Sequence, residues 1–75
     1  NSGEVISITT ALPGLILRVN KKVGDTVKKE EAVIVLESMK METPLIAPAA
    51  GKVVSILVAP GQQIQTGTVV ATIAK

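Results

Sequence analysis

An internal repeat of 37 residues constrains the fold of this chain more than any other feature of its sequence. When the sequence is aligned with itself at that offset, two glycines and five apolar positions agree without a gap. The matched pairs are Gly14/Gly51, Ile16/Val53, Val19/Ile56, Gly24/Gly61, Val27/Ile64, Val33/Val70 and Leu36/Ile73. Two copies are too few for a solenoid. The repeat therefore predicts two related halves that share one hydrophobic core around a pseudo-twofold axis.

Short apolar runs bounded by turn residues predict β-strands in both halves. Pro13-Gly14 and Ala50-Gly51 precede one strand of each half, and Val23-Gly24 and Pro60-Gly61 predict type II turns after it. The predicted strands are Val5–Thr9, Leu15–Val19, Ala32–Leu36, Pro44–Ala47, Lys52–Leu57 and Val69–Ile73. Glycine, proline and β-branched residues disfavour helices throughout. The expected fold is all-β, a flattened β-barrel or sandwich of six to eight short strands, whose closure protects the sheet edges.

The composition excludes several classes of function. The chain contains no Phe, Tyr or Trp and carries a net charge of only +2, which argues against nucleic-acid binding through stacking or through a basic surface. It also contains no Cys and no His, so a disulfide framework and a thiolate metal site are excluded and catalysis by this chain alone is disfavoured. No apolar run is long enough for a membrane span, so we expect no membrane insertion.

The length and the first residues bear on domain organisation. The 75 residues fit one small domain, residues 1–75. The chain begins at Asn1, without an initiating Met or a targeting segment. We expect a single soluble domain taken from a longer polypeptide.

A lysine lies at the centre of a mirrored segment in the middle of the chain. Residues 36–39 mirror residues 40–43 about the Met39–Lys40 bond, as in a two-residue β-hairpin. Such turns require positive φ and usually contain Asn-Gly or Asp-Gly, so Met39-Lys40 breaks the local rule. Local rules tend to be broken where function demands it, which makes Lys40 a candidate modification site. The alternative is a four-residue loop with a solvated lysine and two methionines in the core.

The repeat also places Lys40 relative to the chain ends. Subtracting 37 from 40 gives position 3, and adding 37 gives position 77, just past Lys75. The twofold mate of Lys40 therefore falls where the two chain ends meet. We expect Lys40 and the chain ends to occupy opposite ends of the domain.

The residues on either side of Lys40 have separate interpretations. Met39 and Met41 are the only methionines of the chain, and their flexible thioethers suit recognition by a modifying enzyme. Glu37 and Glu42 could form a carboxylate pair, but no His, Tyr or Cys is present to complete an acid/base site, so a role in solubility and partner electrostatics is favoured. Pro48 and the turn glycines are assigned to backbone geometry alone.

The segment Glu37-Ser38-Met39-Lys40-Met41-Glu42 resembles the attachment sequence of biotinyl domains, the carrier modules of biotin-dependent enzymes. Ser38 stands where that family usually has Ala, and serine is small enough to fit. The similarity extends to Val23-Gly24-Asp25, Ala47-Pro48 and Gly51-Lys52-Val53 and covers nearly all of the chain from Pro13 onward. The short path from Arg18 to Val23 leaves no room for the protruding "thumb" of some bacterial carriers. The resemblance implies a thumbless flattened barrel with the modified lysine on an exposed hairpin.

The resemblance implies biotin as the cofactor, amide-linked to Lys40 by a biotin protein ligase. The carried carboxyl group would pass from a biotin carboxylase to a carboxyltransferase or decarboxylase, in the cytoplasm or the mitochondrial matrix. Met39 and Met41 would serve recognition, and Glu37, Ser38 and Glu42 would form the hairpin context. Two alternatives stay open: a lipoyl carrier of an oxo-acid dehydrogenase complex, and a non-acylated adaptor. Lipoyl domains typically have Asp before the lysine, so the methionines favour biotin.

Overall fold

Eight short strands form the framework of the domain. The computed structural model describes residues 4–75, and no helix occurs within that range. The strands are β1 (Val5–Thr9), β2 (Gly14–Val19), β3 (Thr26–Val27), β4 (Ala32–Ser38), β5 (Met41–Ile46), β6 (Gly51–Ile56), β7 (Gln63–Ile64) and β8 (Val69–Ala74). The all-β prediction is confirmed. The two-residue strands β3 and β7 were not predicted, because so short a strand has no measurable alternation of its own.

The eight strands form two antiparallel sheets of four strands each. One sheet has the order β1-β8-β6-β3 and the other the order β5-β4-β2-β7. Shifting the strands of one sheet by 37 residues converts its order into that of the other, so the internal repeat is structural. The sheets pack face to face, and β1 contacts β5 where the two sheet edges meet. The predicted flattened sandwich with pseudo-twofold halves is confirmed.

The core between the sheets consists of aliphatic side chains from both halves. The largest fully buried side chains occupy positions that match under the repeat, such as Leu36 with Ile73 and Ile16 with Val53. Stiff β-branched residues suit this packing because they lose little rotamer freedom in a strand. No aromatic residue is needed to fill a core this thin.

Two type II turns follow the second strand of each half, as the sequence predicts. They span Lys22–Asp25 and Ala59–Gln62, and Gly24 (φ 97°) and Gly61 (φ 88°) take the position that requires positive φ. In each turn the backbone N–H of the first residue donates to a side-chain oxygen of the fourth, at 2.9 and 3.1 Å respectively. The first turn connects β2 directly to β3, and no thumb is inserted.

A second pair of turns, which the sequence did not reveal, spans Lys28–Glu31 and Gln65–Thr68. Each is closed by a backbone hydrogen bond from the fourth residue to the first, at 3.0 and 3.1 Å. The third residue has positive φ in both: Gly67 at 87° and Glu30 at 71°. The first half of the repeat therefore places a side-chain-bearing residue in a conformation that the second half gives to glycine.

Glu30→Gly should stabilise the domain. A left-handed non-glycine residue costs about 1–2 kcal/mol, and glycine gives back part of that gain because it is more flexible in the unfolded chain. We expect the free energy of unfolding to rise by about 0.5–1 kcal/mol in urea denaturation. Gly67→Ala is the matched control and should lower it by a similar amount. Destabilisation by Glu30→Gly would show that the Glu30 side chain makes a compensating interaction.

Lys21 and Glu31 form an ion pair, with 2.7 Å between Nζ and Oε2. The hydrogen bond from Lys21, followed by one from the Lys28 backbone N–H, lowers the pKa of Glu31. The hydrogen bond to Glu31 raises the pKa of Lys21. The carboxylate therefore contributes stability above its unfolded pKa, and this contribution is lost as the pH falls through its folded pKa. The Lys21 contribution is present below its unfolded pKa and is lost as the pH rises through its folded pKa.

Glu31→Gln should remove the part of the acid destabilisation that arises from this pair. We expect the wild type to exceed the variant in free energy of unfolding at pH 7, with the gap narrowing below about pH 4 as carboxylates protonate. Urea unfolding at pH 7 and pH 3 measures both differences. A gap that is the same at both pH values would contradict the assignment.

Glu4 and Lys75, the first and last of the described residues, lie together at one end of an elongated domain. The Lys75 N–H donates to the Glu4 carbonyl oxygen at 2.9 Å, and the two side chains form an ion pair at 3.6 Å. From Glu4, β1 runs towards Pro13 and Gly14, which lie beside Lys40 at the far end. The domain measures 39 Å along its long axis and 18–19 Å across it. Gly3, the twofold mate of Lys40, lies outside the described residues.

Candidate functional site

Lys40 lies at the tip of a two-residue hairpin between β4 and β5. Ser38 pairs with Met41 and Glu37 with Glu42, which leaves Met39 and Lys40 alone in the turn. Both turn residues have positive φ, 54° for Met39 and 66° for Lys40. Positive φ at both positions is the signature of a type I′ turn. The predicted hairpin is confirmed, and the alternative four-residue loop is wrong.

The turn holds two side-chain-bearing residues in the left-handed region. Each costs about 1–2 kcal/mol relative to an ordinary conformation, and neither is the Gly or Asn that tolerates it best. The β4–β5 ladder, paired from Ala32 with Ile46 out to Ser38 with Met41, holds the turn in this geometry. A strained turn that the surrounding structure maintains is common at functional sites.

All three residues around the tip face solvent. Met39 is 91% exposed and Met41 68% exposed, so the prediction that they could be core methionines is wrong. Lys40 is also exposed. Within residues 4–75 the Lys40 amine makes no hydrogen bond and no ion pair. Two exposed thioethers and an unpaired amine thus form one protruding surface that another protein can enclose.

Two carboxylates face each other across the hairpin stem. Glu37 and Glu42 are directly paired, and like charges in such a pair destabilise an antiparallel ladder. Arg18 on β2 offsets part of this repulsion, because its Nη2 donates to Glu42 Oε1 at 3.2 Å. This contact of Arg18 was not predicted, although a single charge within the apolar run Leu15–Val19 was an available signal.

Gly14 supports the hairpin stem from the neighbouring strand β2. A Cβ at this position would collide with the Glu37 carbonyl oxygen and press on the Leu36 side chain. Pro13, Gly14 and Gln63 line a shallow depression together with residues 37–40. Close backbone approach thus requires glycine at this position, in agreement with the predicted role of Gly14 in backbone geometry, and it lets β2 lie directly beside the hairpin stem.

Gly14→Ala should destabilise the domain by about 1–3 kcal/mol, the usual cost of overpacking a well-packed site. Gly51 is its twofold mate and has the same close approach to the Ala74 carbonyl oxygen. Gly51→Ala should therefore cost a similar amount in urea unfolding. Because only Gly14 lies under the hairpin, only its variant should also shift the amide NMR signals of residues 37–42. Equal shifts at the hairpin in both variants would contradict this assignment.

The hairpin presents a primary amine, and besides that amine the only ionisable groups of residues 37–42 are the carboxylates of Glu37 and Glu42. Within residues 4–75 no cluster of His, Cys, Asp or Glu could hold a metal ion, and no helix is long and apolar enough to cross a membrane. Ser38 and Glu37 on β4 are half-buried, and both line the shallow depression next to Lys40.

Comparison with known proteins identifies several that are similar to this chain. A family model described as "Biotin-requiring enzyme" (Biotin_lipoyl) matches residues 2–73. The biotin carboxyl carrier protein of Streptococcus mutans is 44% identical over 63 residues, which cover 84% of this chain and 48% of that protein. The chain thus spans about half the length of this relative.

Two further similarities are to short segments of much longer proteins. The dihydrolipoyllysine-residue acetyltransferase component of the pyruvate dehydrogenase complex of Mycoplasma pneumoniae is 40% identical over 60 residues, which cover 80% of this chain and 15% of that protein. The crystal structure of Kluyveromyces lactis urea carboxylase matches with a TM-score of 0.89 and 31% identity, over 93% of this chain and 6% of the other. The same small fold therefore occurs inside much larger polypeptides.

Proposed function

This chain belongs to the biotin/lipoyl attachment family, and on that premise we propose that it is a biotin carboxyl carrier domain with biotin amide-linked to Lys40. The observation that carries the proposal is the type I′ turn, which holds an unpaired lysine amine between two exposed methionines at one end of the domain. The name of the Streptococcus relative supports biotin as the group.

The residues at the tip fit the attachment of biotin. Lys40 would hold the group: its Nζ would form an amide bond with the biotin carboxyl carbon, and the activating group on that carboxyl would leave. The amine must lose a proton as the bond forms, and no hydrogen bond or ion pair within residues 4–75 links it to a group that could accept the proton. A biotin protein ligase therefore supplies deprotonation and alignment, and we assign Met39 and Met41 to its recognition. Glu37, Ser38 and Glu42 complete the hairpin it docks on.

The domain acts as a carrier and lowers no chemical barrier itself. Bound biotin supplies the atom that carries the carboxyl group. The chain contributes reach and local concentration: the four methylenes of Lys40 extend the attachment point, and the rigid hairpin holds that point away from the core. Tethering of this kind raises the effective concentration of the carried group at each partner site.

The partners we propose are a biotin carboxylase and a carboxyltransferase or decarboxylase, as domains or subunits of one biotin-dependent enzyme. The similarity to a short segment of urea carboxylase supports a parent of this class. We propose that residues 1–75 form a single domain of such a parent, in the cytoplasm or, in a eukaryote, the mitochondrial matrix.

Lipoylation of Lys40 is the second candidate function. The 40% identity to a dihydrolipoyllysine-residue acetyltransferase supports it, because the same hairpin would carry the group. The methionine on each side of Lys40 and the 44% identity to a biotin carboxyl carrier protein favour biotin. A third candidate is a non-acylated adaptor, in which the lysine has no acyl group.

Intact mass separates the three candidates. The chain is co-expressed with biotin protein ligase and free biotin, and labelled protein is digested and mapped. A single biotin-sized increase on Lys40 is the expected result. A lipoyl-sized increase after treatment with lipoyl ligase instead would support the second candidate. No increase with either ligase, while known biotinyl and lipoyl domains are labelled in parallel, would leave the adaptor.

A further inference from the structure

An open cleft lies between the two sheets next to the hairpin. It measures about 250 Å³ and lies where the edge strands β1 and β5 meet. Its lining comes from the loop after β1, with Thr10 and Leu12, and from the hairpin strands, with Leu36, Thr43 and Leu45. Most of this lining is apolar. The cleft therefore offers a place for an apolar group within one strand length of Lys40.

The two halves of the repeat differ at the positions that form this cleft. Thr43 occupies the position that Ile6 occupies in the other half, where Ile6 packs against the core. Leu12, at the rim, corresponds to Ala49. Next to the cleft, Thr43 is therefore smaller than its mate Ile6, and Leu12 at the rim is larger than its mate Ala49. The packing between the two sheets is therefore more open beside Thr43 than at the matching position of Ile6.

The rim of the cleft is held in place before any ligand arrives. Thr10 is only 2% exposed, and it is the buried polar side chain of the described residues. Its hydroxyl donates to the Leu12 carbonyl oxygen at 2.5 Å and accepts from the Leu12 N–H at 3.2 Å. These bonds fix the loop while the Leu12 side chain stays 45% exposed beside the cleft.

The cleft lies within reach of a group carried on Lys40. Thr43 is three residues from Lys40, about 10 Å along an extended strand. From the Lys40 Cα to the biotin ring there are about eleven single bonds, which span roughly 14 Å when extended. Met41 lies between them on the same face of β5 as Thr43, because strand side chains alternate. Its exposed thioether extends the apolar surface from the tip towards the cleft.

We propose that this cleft is a resting site for the fused ring of biotin on Lys40, which folds back along Met41 between visits to its partners. The inference rests on the proposed function. The size is adequate, since an apolar protein cavity of about 150 Å³ already binds benzene. The thioether side of the ring enters the mostly apolar cleft, while the ureido N–H and C=O groups stay in water at its open mouth, because burial without hydrogen-bond partners would be costly. This partial docking does not prevent release of the ring to an active site.

NMR of the unloaded and loaded domain tests the proposal. On biotinylation we expect the amide signals of Ala11, Leu12 and Leu45 to shift, in addition to those of the hairpin tip. Thr43→Ile, which copies the filled half of the repeat, should abolish the shifts at the cleft and leave those at the tip. Thr43→Val keeps nearly the same volume and should retain them.

Streptavidin capture provides a second measurement that does not depend on enzyme activity. If the ring is docked half of the time or more, Thr43→Ile should speed capture by about twofold or more, because only the released arm binds. Thr43→Val should behave as the wild type.

The outcomes separate this inference from the proposed function. A biotin-sized mass increase with NMR shifts confined to residues 38–42 would overturn the resting site alone. The cleft would then be open to an apolar side chain of a partner instead. Absence of any mass increase would overturn the proposed function and the resting site with it. If Thr43→Ile unfolds, Leu12→Ala provides the same test from the rim, and unchanged cleft shifts in that variant would contradict the proposal.

Discussion

Lys40→Arg should abolish biotinylation while leaving the free energy of unfolding within about 0.5 kcal/mol of the wild type. Arginine keeps the charge and the length, but its guanidinium stays protonated and does not act as the amine nucleophile. The fold should be unaffected because Lys40 is exposed and, within residues 4–75, makes no polar contact. Intact mass after co-expression with the ligase measures the first effect, and urea unfolding measures the second.

Lys52→Arg is the matched control for this prediction. Lys52 is also an exposed lysine, but it lies within β6 and not at a hairpin tip. It should be labelled like the wild type. Retained labelling of Lys40→Arg would move the modification site to another lysine and would remove the main support for the hairpin as the functional site.

The double variant Met39→Ala/Met41→Ala should lower the catalytic efficiency with which biotin protein ligase modifies the domain. We expect a loss of about 10- to 100-fold for each methionine side chain that the ligase buries when it binds. The estimate follows from the roughly 1.5–3 kcal/mol gained when a methionine side chain leaves water, with about 1.4 kcal/mol per tenfold. The free energy of unfolding should change little, because the two side chains are 91% and 68% exposed. Alanine at position 39 retains a Cβ, so the cost of the left-handed conformation there stays about the same. Initial rates of biotin incorporation at several domain concentrations give the efficiency.

Leu57→Ala controls for a general loss of exposed apolar surface. Leu57 is 53% exposed and follows β6, away from the hairpin. It should be biotinylated at the wild-type rate. If the double methionine variant is labelled as fast as the wild type, recognition by the ligase depends on the backbone and the lysine alone.

Much of the fold could be predicted because the repeat appears in the spacing of residues. The paired turn glycines Gly24 and Gly61 require positive φ in both halves, and this local requirement is visible without any tertiary contact. The hairpin at Lys40 was also predictable from the mirrored segment around it. The predictions failed where the information was not local. The strands β3 and β7 form only because longer strands of each sheet, β6 and β2, pair with them.

The details of the site depended even more on tertiary structure. The methionines next to Lys40 could have been core residues on composition alone, and only the length of the β4–β5 ladder places them beyond the core. The ion pair between Arg18 and Glu42 joins residues 24 positions apart. The left-handed conformation of Glu30 could not be inferred from the sequence. Glycine, the residue that signals positive φ, occurs at the matching position of the second half, Gly67, but not at position 30.

By itself the sequence determined the two-half β architecture, the turn positions and the lysine that the hairpin presents. These depend on side-chain period, on glycine conformation and on a motif, all of which act over a few residues. Only the tertiary structure decided that the amine and its methionines are exposed to solvent, that Gly14 lies against the Glu37 carbonyl, and that Thr43 lines a cleft while its mate Ile6 packs against the core. Those features depend on how two sheets meet, since exposure and packing space are set by residues distant in the chain.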